Sequence, residues 1–175
     1  MIDSTRHNSV FSPDNFEDLD IHIIGAGATG SKVTMELAKL GLKNLHIWDF
    51  DEVESHNIAN QAFGNQHIGM PKVEALKDIV KEYTGTEIHA HNQRVTGEED
   101  LEGIVFLLTD TMSSRKEIWD NAIKNKFNVK LMVETRMGVD NGRVYTINPT
   151  NPKDIKMWES TLVDDDKVEV SACGS

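Results

Sequence analysis

Three glycines near the start of the chain constrain its fold more than any other feature. Gly25, Gly27 and Gly30 have the spacing G-x-G-x-x-G, between an apolar run at 21–24 and a segment with helical periodicity at 31–40. In this setting the first glycine permits a sharp turn, the second lets a phosphate approach the backbone, and the third lets helix and strand pack closely. The pattern predicts a nucleotide-binding turn. The alternative is a tight turn in an α/β domain that binds no ligand.

The rest of the chain alternates between apolar runs and helical segments, as a parallel sheet requires. A second apolar run at 45–48 completes the first β-α-β unit. Further strands are predicted at 88–91, 103–108 and 129–134, and helices at 71–81 and 113–126. Beyond them, 138–149 alternates around Asn141-Gly142, a pair favoured in hairpin turns. We therefore predict a Rossmann-like α/β fold whose mostly parallel, doubly wound sheet is continued by antiparallel strands.

Length and composition limit the organisation of the chain. Its 175 residues, 38% of them hydrophobic, suit one domain. We expect an N-terminal extension at 1–20, a nucleotide-binding domain at 21–149, and an irregular tail or crossover segment at 150–175. The 29 acidic and 18 basic residues give a formal net charge of −11, which disfavours nucleic acid and anionic membranes as main partners. No apolar stretch approaches the roughly 20 residues that span a bilayer, so a cytoplasmic location is expected.

An aspartate follows the second predicted strand at the distance expected for ribose recognition. Asp49 lies about 20 residues beyond the glycine turn, where an acid accepts hydrogen bonds from ribose hydroxyls. This signal alone does not distinguish NAD, FAD and a mononucleotide.

Four short patterns that begin at Asp49 help to distinguish these nucleotides. The first is an aspartate-rich strand end at Asp49-Phe50-Asp51, and the second is a segment from an asparagine to a glutamine at Asn57–Gln61. The third is an Ile-Gly step at Ile68-Gly69, and the fourth is a lysine, Lys72, that opens a helix. A later segment, LLTDTMSSRKEIWDNA, contributes Asp110 and Arg115. In this order and spacing, the patterns resemble the ThiF/MoeB/HesA family of ubiquitin-activating-enzyme-like proteins. The resemblance extends over about 21–149.

The resemblance implies ATP-dependent adenylation of the C-terminal glycine of a small ubiquitin-like or sulfur-carrier protein ending in Gly-Gly, with release of pyrophosphate. It also implies a homodimer or heterodimer. Lys72 and Asp110 are then the catalytic residues, and Asp110 holds magnesium. The implied nucleotide-binding residues are Gly25, Gly27, Gly30, Asp49, Asp51, Asn57, Asn60, Gln61 and Lys72.

The chemistry of adenylation suits these residue types independently. When a carboxylate attacks the α-phosphate, negative charge must be stabilised on the phosphate chain and on the departing pyrophosphate, a task for a lysine and a metal ion. Magnesium takes few protein carboxylates together with phosphate oxygens and water, which one aspartate can provide. The nucleophile is already ionised at neutral pH, so no general base is required.

Two arginines of the family pattern are absent. Asn60 stands where an arginine is expected three residues after Asn57, and Ser9 stands where an N-terminal arginine falls. Losing a charge-assisted phosphate contact costs about 1.5 to 3 kcal/mol. Three other arginines are candidate replacements: Arg6, Arg115 and Arg136.

Three alternatives remain open from the sequence. The chain is an active adenylating enzyme, or a non-catalytic subunit or scaffold that binds nucleotide or partner without turnover. An NAD-dependent oxidoreductase shares the glycine turn but leaves Lys72 and Asp110 unexplained.

Cysteine and histidine add little further chemistry. Cys173 is the single cysteine, so no structural zinc site of paired cysteines is expected. As a nucleophile it would form a thioester or persulfide; the alternative is an unreactive thiol. The histidines lie on different predicted elements, and only His89 and His91 share a strand face, so we expect them to be satisfied or exposed.

Overall fold

The computed structural model describes residues 9–138 and 140–167, and the strands of these residues form a single sheet. The strands are β1 Ile21–Ile24, β2 Leu45–Asp49, β3 His89–Asn92, β4 Gly103–Leu107, β5 Val129–Met137 and β6 Gly142–Ile147. Their order is β3-β2-β1-β4-β5-β6, with β1 to β5 parallel and β6 antiparallel to β5. The predicted α/β fold, a mostly parallel sheet continued by an antiparallel strand, is confirmed. The strand order reverses between β1 and β4, which makes their carboxyl ends a topological switch point.

Helices cover both faces of the sheet. They are α1 Ala28–Lys39, α2 Lys72–Thr84, α3 Met112–Ile118 and α4 Pro152–Glu159. On one face, α1 and α2 pack apolar side chains such as Ala38, Val73 and Leu76 against Ile23 and Ile47. On the other face, a second core contains side chains from β4, β5 and β6 together with residues of α3, its C-terminal extension and α4. The sheet is therefore doubly wound in the described part of the chain.

The helix after β4 departs from the prediction of one regular helix over 113–126. Thr111 caps α3 by accepting a hydrogen bond from the Ser114 amide. After Ile118 the chain continues as one turn of π-helix, Trp119–Ile123, closed by a bond from the Lys124 amide to the Trp119 carbonyl. Trp119, the first residue of this wider turn, is completely buried. The spacing of apolar residues predicts a helix here but does not distinguish a π-helical turn from a regular one.

The prediction that 150–175 is irregular with little core of its own is wrong over α4. Asn151 caps this helix by accepting a hydrogen bond from the Lys153 amide, and Pro152 occupies its first turn. Trp158 is fully buried in the second core, with partly buried Ile155 beside it. Only two of its apolar residues face the core, and the exposed Met157 beside them obscures the helical period, which is why the sequence pattern missed the helix.

Two smaller features also differ from the expected boundaries. The β5–β6 pairing ends at Met137 and Gly142, so Gly142 already lies in β6 and β5 itself forms the first arm of the hairpin. The described part of the N-terminal extension contains a 3₁₀ turn, Pro13–Phe16, and Phe16 packs on the first core. Among the described residues, no helix has the length and apolar character needed to cross a bilayer.

Candidate functional site

A pocket lies at the carboxyl ends of β1, β2, β4 and β5, where the sheet topology predicts ligand binding. Its volume is about 700 Å³, within the range typical of small-molecule sites. The sequence-predicted residues that line it are Gly25, Gly27, Asp49, Asp51, Gln61, Lys72 and Asp110. The structure thus brings together residues from three separate connections of the chain, those that follow β1, β2 and β4.

The three glycines have different surroundings. Gly25 has φ +103°, and a Cβ there would lie 2.7 Å from the Leu108 carbonyl oxygen. A Cβ on Gly30 would lie 1.8 Å from the Gly25 carbonyl oxygen, so Gly30 serves the close packing of α1 behind the turn and does not line the pocket. A Cβ on Gly27 would meet none of the described atoms within 4 Å. Open space at Gly27 leaves room for a ligand to approach the backbone.

Asp49 connects the end of β2 to the glycine turn. Its Oδ2 accepts a hydrogen bond of 2.6 Å from the Ala26 amide, and its Oδ1 accepts one of 2.9 Å from the Asp51 amide. Burial raises the pKa of Asp49, and the two amide hydrogen bonds oppose that shift. Each carboxylate oxygen retains capacity for a second hydrogen bond, so the group can still receive a ribose hydroxyl.

Lys72 is a buried cation at the wall of the pocket. It is the first residue of α2 and is only 5% exposed. Its Nζ donates to Asp51 Oδ2 at 2.9 Å, and its backbone amide donates to the Asp51 carbonyl. These two bonds position the ammonium group where it can approach an anionic ligand in the pocket.

The segment after Asp51 contributes unevenly. Asn57 is buried, and its side-chain Oδ1 accepts a hydrogen bond from the Glu54 amide within a capping box. Neither Asn57 nor Asn60 lines the pocket, whereas Gln61 does. Asn60 Oδ1 and Gln61 Oε1 are buried and make no hydrogen bond to any described residue. Nucleotide binding by these three side chains stays a prediction.

The opposite wall of the pocket contains a buried ion network that the sequence reasoning did not assemble. Arg115 Nη1 donates to Glu134 Oε1 and, at 2.8 Å, to the Thr135 carbonyl. Arg136 Nε donates to the same Glu134 oxygen at 2.7 Å. Glu134 Oε2 accepts a 2.7 Å bond from the Trp158 indole. Burial lowers the pKa of Arg115, and Glu134 opposes that shift.

Asp110 lies on this same side of the pocket. It lies in the connection between β4 and α3, is exposed, and lines the pocket together with Arg115 and Arg136. Ser9 is exposed and does not line the pocket. Arg6 and Cys173 lie outside the described residues, so the candidate cation and the candidate nucleophile at those positions stay predictions.

The histidines on β1, β2 and β3 form a group behind the pocket. The His46 ring lies 4.7 Å from that of His22 and 4.4 Å from that of His89, and His46 Nδ1 is 3.2 Å from His91 Nε2. Trp48 donates its indole N–H to His22 Nδ1 and stacks on His91 at 3.8 Å. Burial lowers the pKa of His22 to about 4 and also lowers those of His46 and His91. Within the described ranges, no three His, Cys, Asp or Glu side chains are arranged to hold a metal ion.

Comparison with known proteins identifies the family. The ThiF family profile matches residues 10–174, nearly the whole chain. This chain belongs to the ThiF family. The NEDD8-activating enzyme E1 catalytic subunit of Arabidopsis thaliana is 32% identical over 130 residues, covering 65% of this chain and 28% of that protein. The adenylyltransferase and sulfurtransferase MOCS3 of Culex quinquefasciatus is 29% identical over 100 residues, covering 53% and 23%.

Solved structures support the same fold. E. coli MccB crystallised with AMPCPP and MccA has a TM-score of 0.64 and 16% identity, with 87% of this chain and 51% of MccB covered. PaaA has a TM-score of 0.62 and 18% identity, with 80% of this chain and 45% of PaaA covered. At these identities the likeness establishes the fold alone. The chain spans 28% of the Arabidopsis relative and about half of MccB.

Proposed function

We propose that this ThiF-family domain binds Mg·ATP in the pocket at the switch point and adenylates the C-terminal glycine of a small ubiquitin-like or sulfur-carrier protein. The observation that carries the proposal is the convergence of the open glycine turn, Asp49 and the buried Lys72 on one pocket with Asp110. An ATP-shaped ligand needs these groups in this order: a ribose acceptor, a backbone approach for phosphate, and a cation. A dinucleotide cofactor gives no role to Lys72 or Asp110.

In the proposed reaction a carboxylate oxygen of the carrier's terminal glycine attacks the α-phosphorus of ATP. A P–O bond forms, the bond to the β-phosphate breaks, and pyrophosphate leaves with the electron pair. Lys72 Nζ stabilises negative charge on the phosphate oxygens as it accumulates. The exposed carboxylate of Asp110 is the residue that would hold Mg²⁺, and a single carboxylate beside phosphate oxygens and water fits that ion. When bound, the ion neutralises phosphate charge.

The proposed partner follows from the named relatives. The Arabidopsis relative is an activating enzyme for NEDD8, another from Dictyostelium discoideum is a SUMO-activating enzyme subunit, and MOCS3 is an adenylyltransferase and sulfurtransferase. These names support a carrier protein as the acyl substrate. We propose that the protein acts in the cytoplasm as a homodimer or heterodimer.

A non-catalytic subunit is the second candidate function. It is favoured by Asn60, which replaces an expected arginine and whose side chain does not line the pocket. In that case the pocket binds ATP but no adenylate forms.

Calorimetric titration with ATP, with and without magnesium, tests the first part of the proposal. Lys72→Ala should lower ATP affinity by about tenfold or more, because a charge-assisted hydrogen bond to phosphate is lost. Asp110→Ala should abolish the effect of magnesium. Lys39→Ala and Asp120→Ala are matched controls, because each breaks an exposed ion pair, of 2.8 Å and 2.6 Å respectively, outside the pocket lining.

Equal affinities in the wild type and both pocket variants would contradict the assigned site. The reaction itself is tested by ATP–pyrophosphate exchange with carrier proteins that end in Gly-Gly. Exchange that depends on Lys72 supports adenylation. ATP binding without exchange across a panel of such carriers favours the non-catalytic subunit.

A further inference from the structure

The histidine group behind the pocket occupies paired positions on three neighbouring strands. In the sheet register, His22 on β1 pairs with His46 on β2, and His46 pairs with His89 on β3. Trp48, two residues beyond His46, pairs with His91. Side chains at paired positions of neighbouring strands point to the same face of the sheet, so the four imidazoles and the indole share one face.

Trp48 connects the histidine group to the pocket. It is buried, lines the pocket and directly precedes Asp49. Its indole N–H donates to His22 Nδ1 at 3.2 Å, and its ring stacks on that of His91 with 3.8 Å between the ring centres. Contacts with two histidines therefore fix the orientation of the Trp48 ring in the pocket wall.

His22 can keep its contact with Trp48 only while its Nδ1 carries no proton. This atom accepts the indole bond, and the other ring nitrogen, Nε2, lies 3.4 Å from the Glu102 amide, which is also a donor. A protonated imidazole has N–H groups on both nitrogens and accepts no hydrogen bond. Proton uptake by His22 therefore brings an N–H group against the indole N–H of Trp48 and breaks the bond between them.

The contact between His46 and His91 limits proton uptake in a similar way. His46 Nδ1 lies 3.2 Å from His91 Nε2, and a hydrogen bond between these atoms needs one nitrogen without a proton. One added proton leaves the bond in place. Protonation of both rings removes the bond and places two cations side by side, with 5.4 Å between the ring centres.

Two carboxyl groups face the histidine group from the segments that precede β1 and β4. Asp20 Oδ1 is 3.6 Å from His46 Nε2. The Glu102 side chain forms a hydrogen bond with Asp20, and this contact raises the pKa of Glu102; Asp100 raises it further, and Lys130 opposes the shift. Because these two carboxyl groups contact each other, they do not supply a separate counter-ion to each imidazole.

The pKa values agree with this geometry. Burial is the largest cause that lowers the pKa of His22 to about 4, with His46 and His91 contributing and Asp20 opposing the shift. Burial also lowers the pKa values of His46 and His91, and neighbouring histidines add to both shifts. The group is therefore neutral near pH 7 and takes up protons as the pH falls below about 6.5.

We propose that the histidine group makes ligand binding in the pocket sensitive to pH: the neutral group holds Trp48 in the pocket wall, and proton uptake releases the indole and weakens binding. The effect on ATP rests on the proposed function, because it assumes that ATP is the ligand. The release of Trp48 depends only on the contacts within the group.

Tryptophan fluorescence of the ligand-free protein tests the release of Trp48. Emission is compared between each protein and the same protein carrying Trp48→Phe, so the difference reports Trp48 without Trp119 and Trp158. We expect this difference to change between about pH 7.5 and about pH 5.5 in the wild type and in His56→Gln, an exposed control outside the group. In His46→Gln the change should be less than about half as large, because the amide retains a donor and an acceptor but takes up no proton.

The fluorescence comparison is limited to the pH range over which far-UV circular dichroism stays constant, so that it reports the folded protein. An indole signal that does not change with pH in the wild type would overturn the inference. An equal change in the wild type and in His46→Gln would also overturn it, because the change would then arise outside the histidine group.

Calorimetric titration with Mg·ATP at the same two pH values tests the effect on binding. A group that takes up a proton only when the pocket is empty lowers affinity by up to about tenfold per pH unit below its pKa. We expect the wild type and His56→Gln to lose about threefold or more in affinity beyond the loss measured for His46→Gln. Asp49, whose pKa is raised by burial, and ATP itself also titrate, but they do so in all three proteins.

Equal pH dependence of ATP affinity in the wild type and in His46→Gln would overturn the coupling to the pocket. If the wild type binds ATP at neither pH, the proposed function fails, and the fluorescence difference still decides whether protons release Trp48. The two failures are therefore distinguishable.

Discussion

The two walls of the pocket are built in different ways. The wall at β1 and β2 comes from one continuous stretch, 25–72, and its charges are paired locally: Lys72 with Asp51, and Asp49 with two backbone amides. The wall at β4 and β5 gathers Arg115 from α3, Glu134 and Arg136 from β5, and a carbonyl at Thr161. In the first wall, two buried acceptors, Asn60 Oδ1 and Gln61 Oε1, make no hydrogen bond to any described residue. In the second wall, two buried donors, Arg115 Nε and Arg136 Nη2, make none.

This difference separates the roles of the two walls. A locally paired wall keeps its shape when one side chain changes, so substitutions there should alter ligand binding more than folding. A long-range ion network holds several elements together, so substitutions at its centre should alter folding first. The variants below test that contrast.

The largest effect is expected for Glu134→Gln. This change removes the carboxylate that both Arg115 and Arg136 contact, so the free energy of unfolding should fall by about 3 to 5 kcal/mol. Urea denaturation measures it. Glu117→Gln is the control, because it breaks an exposed ion pair with Arg94 and should cost less than about 1 kcal/mol. A loss below about 1 kcal/mol at Glu134 would show that the network does not stabilise the second wall.

A smaller effect on stability is expected at the first wall. Gly30→Ala places a Cβ 1.8 Å from a backbone oxygen, which requires a shift of α1 against β1 and should cost about 1 to 3 kcal/mol. Gly27→Ala is the matched control, since its Cβ enters open space, and its unfolding free energy should change by less than about 1 kcal/mol. The Gly27 variant should nevertheless bind ATP more weakly. Unchanged ATP affinity would contradict a phosphate position at this glycine.

The smallest effect concerns the histidine group behind the first wall. The folded-state pKa of His22 is lowered to about 4, below the unfolded value of about 6.5, so the unfolded chain binds a proton first as pH falls. The contribution of His22 to the free energy of unfolding is therefore present above pH 6.5 and is lost as pH falls towards 4. Between pH 7 and pH 6 the expected loss from His22 alone is about 0.7 kcal/mol.

Urea denaturation at both pH values measures this loss in the wild type and in His22→Gln. Removal of the imidazole should reduce the pH dependence, while the exposed control His56→Gln should retain it. If His22→Gln has the same pH dependence as the wild type, the loss of stability arises from groups other than His22.

The sequence predicted which residues gather at the first wall because their signals are local, while the nucleotide-binding roles of these residues stay predictions. Gly25, Gly27, Asp49 and Lys72 stand at fixed spacings on a strand, a turn and a helix start, and the parallel sheet necessarily brings those ends together. The same local signal, a polar residue at the end of a predicted strand, also identified Asp110 as a residue of the pocket. Asn57 does not line the pocket and its side chain caps a 3₁₀ turn, and its role in nucleotide binding stays a prediction.

The second wall was not predictable to the same degree. Glu134 reads as an ordinary polar residue at the end of an apolar strand. Its partner Arg136 is two residues away, but nothing in the sequence identifies Arg115 and the Trp158 indole as its other partners. Those contacts depend on the packing of α3 and on α4, which the sequence pattern missed. Pairings between residues about 20 or more positions apart require the tertiary fold before they can be recognised.

One measurement tests the central claim most directly: calorimetric titration of the wild-type protein with ATP and with NAD, each with and without magnesium. The account predicts a single ATP site whose affinity rises with magnesium, and no comparable binding of NAD. Binding of NAD without ATP, or the absence of ATP binding under every condition, would contradict it.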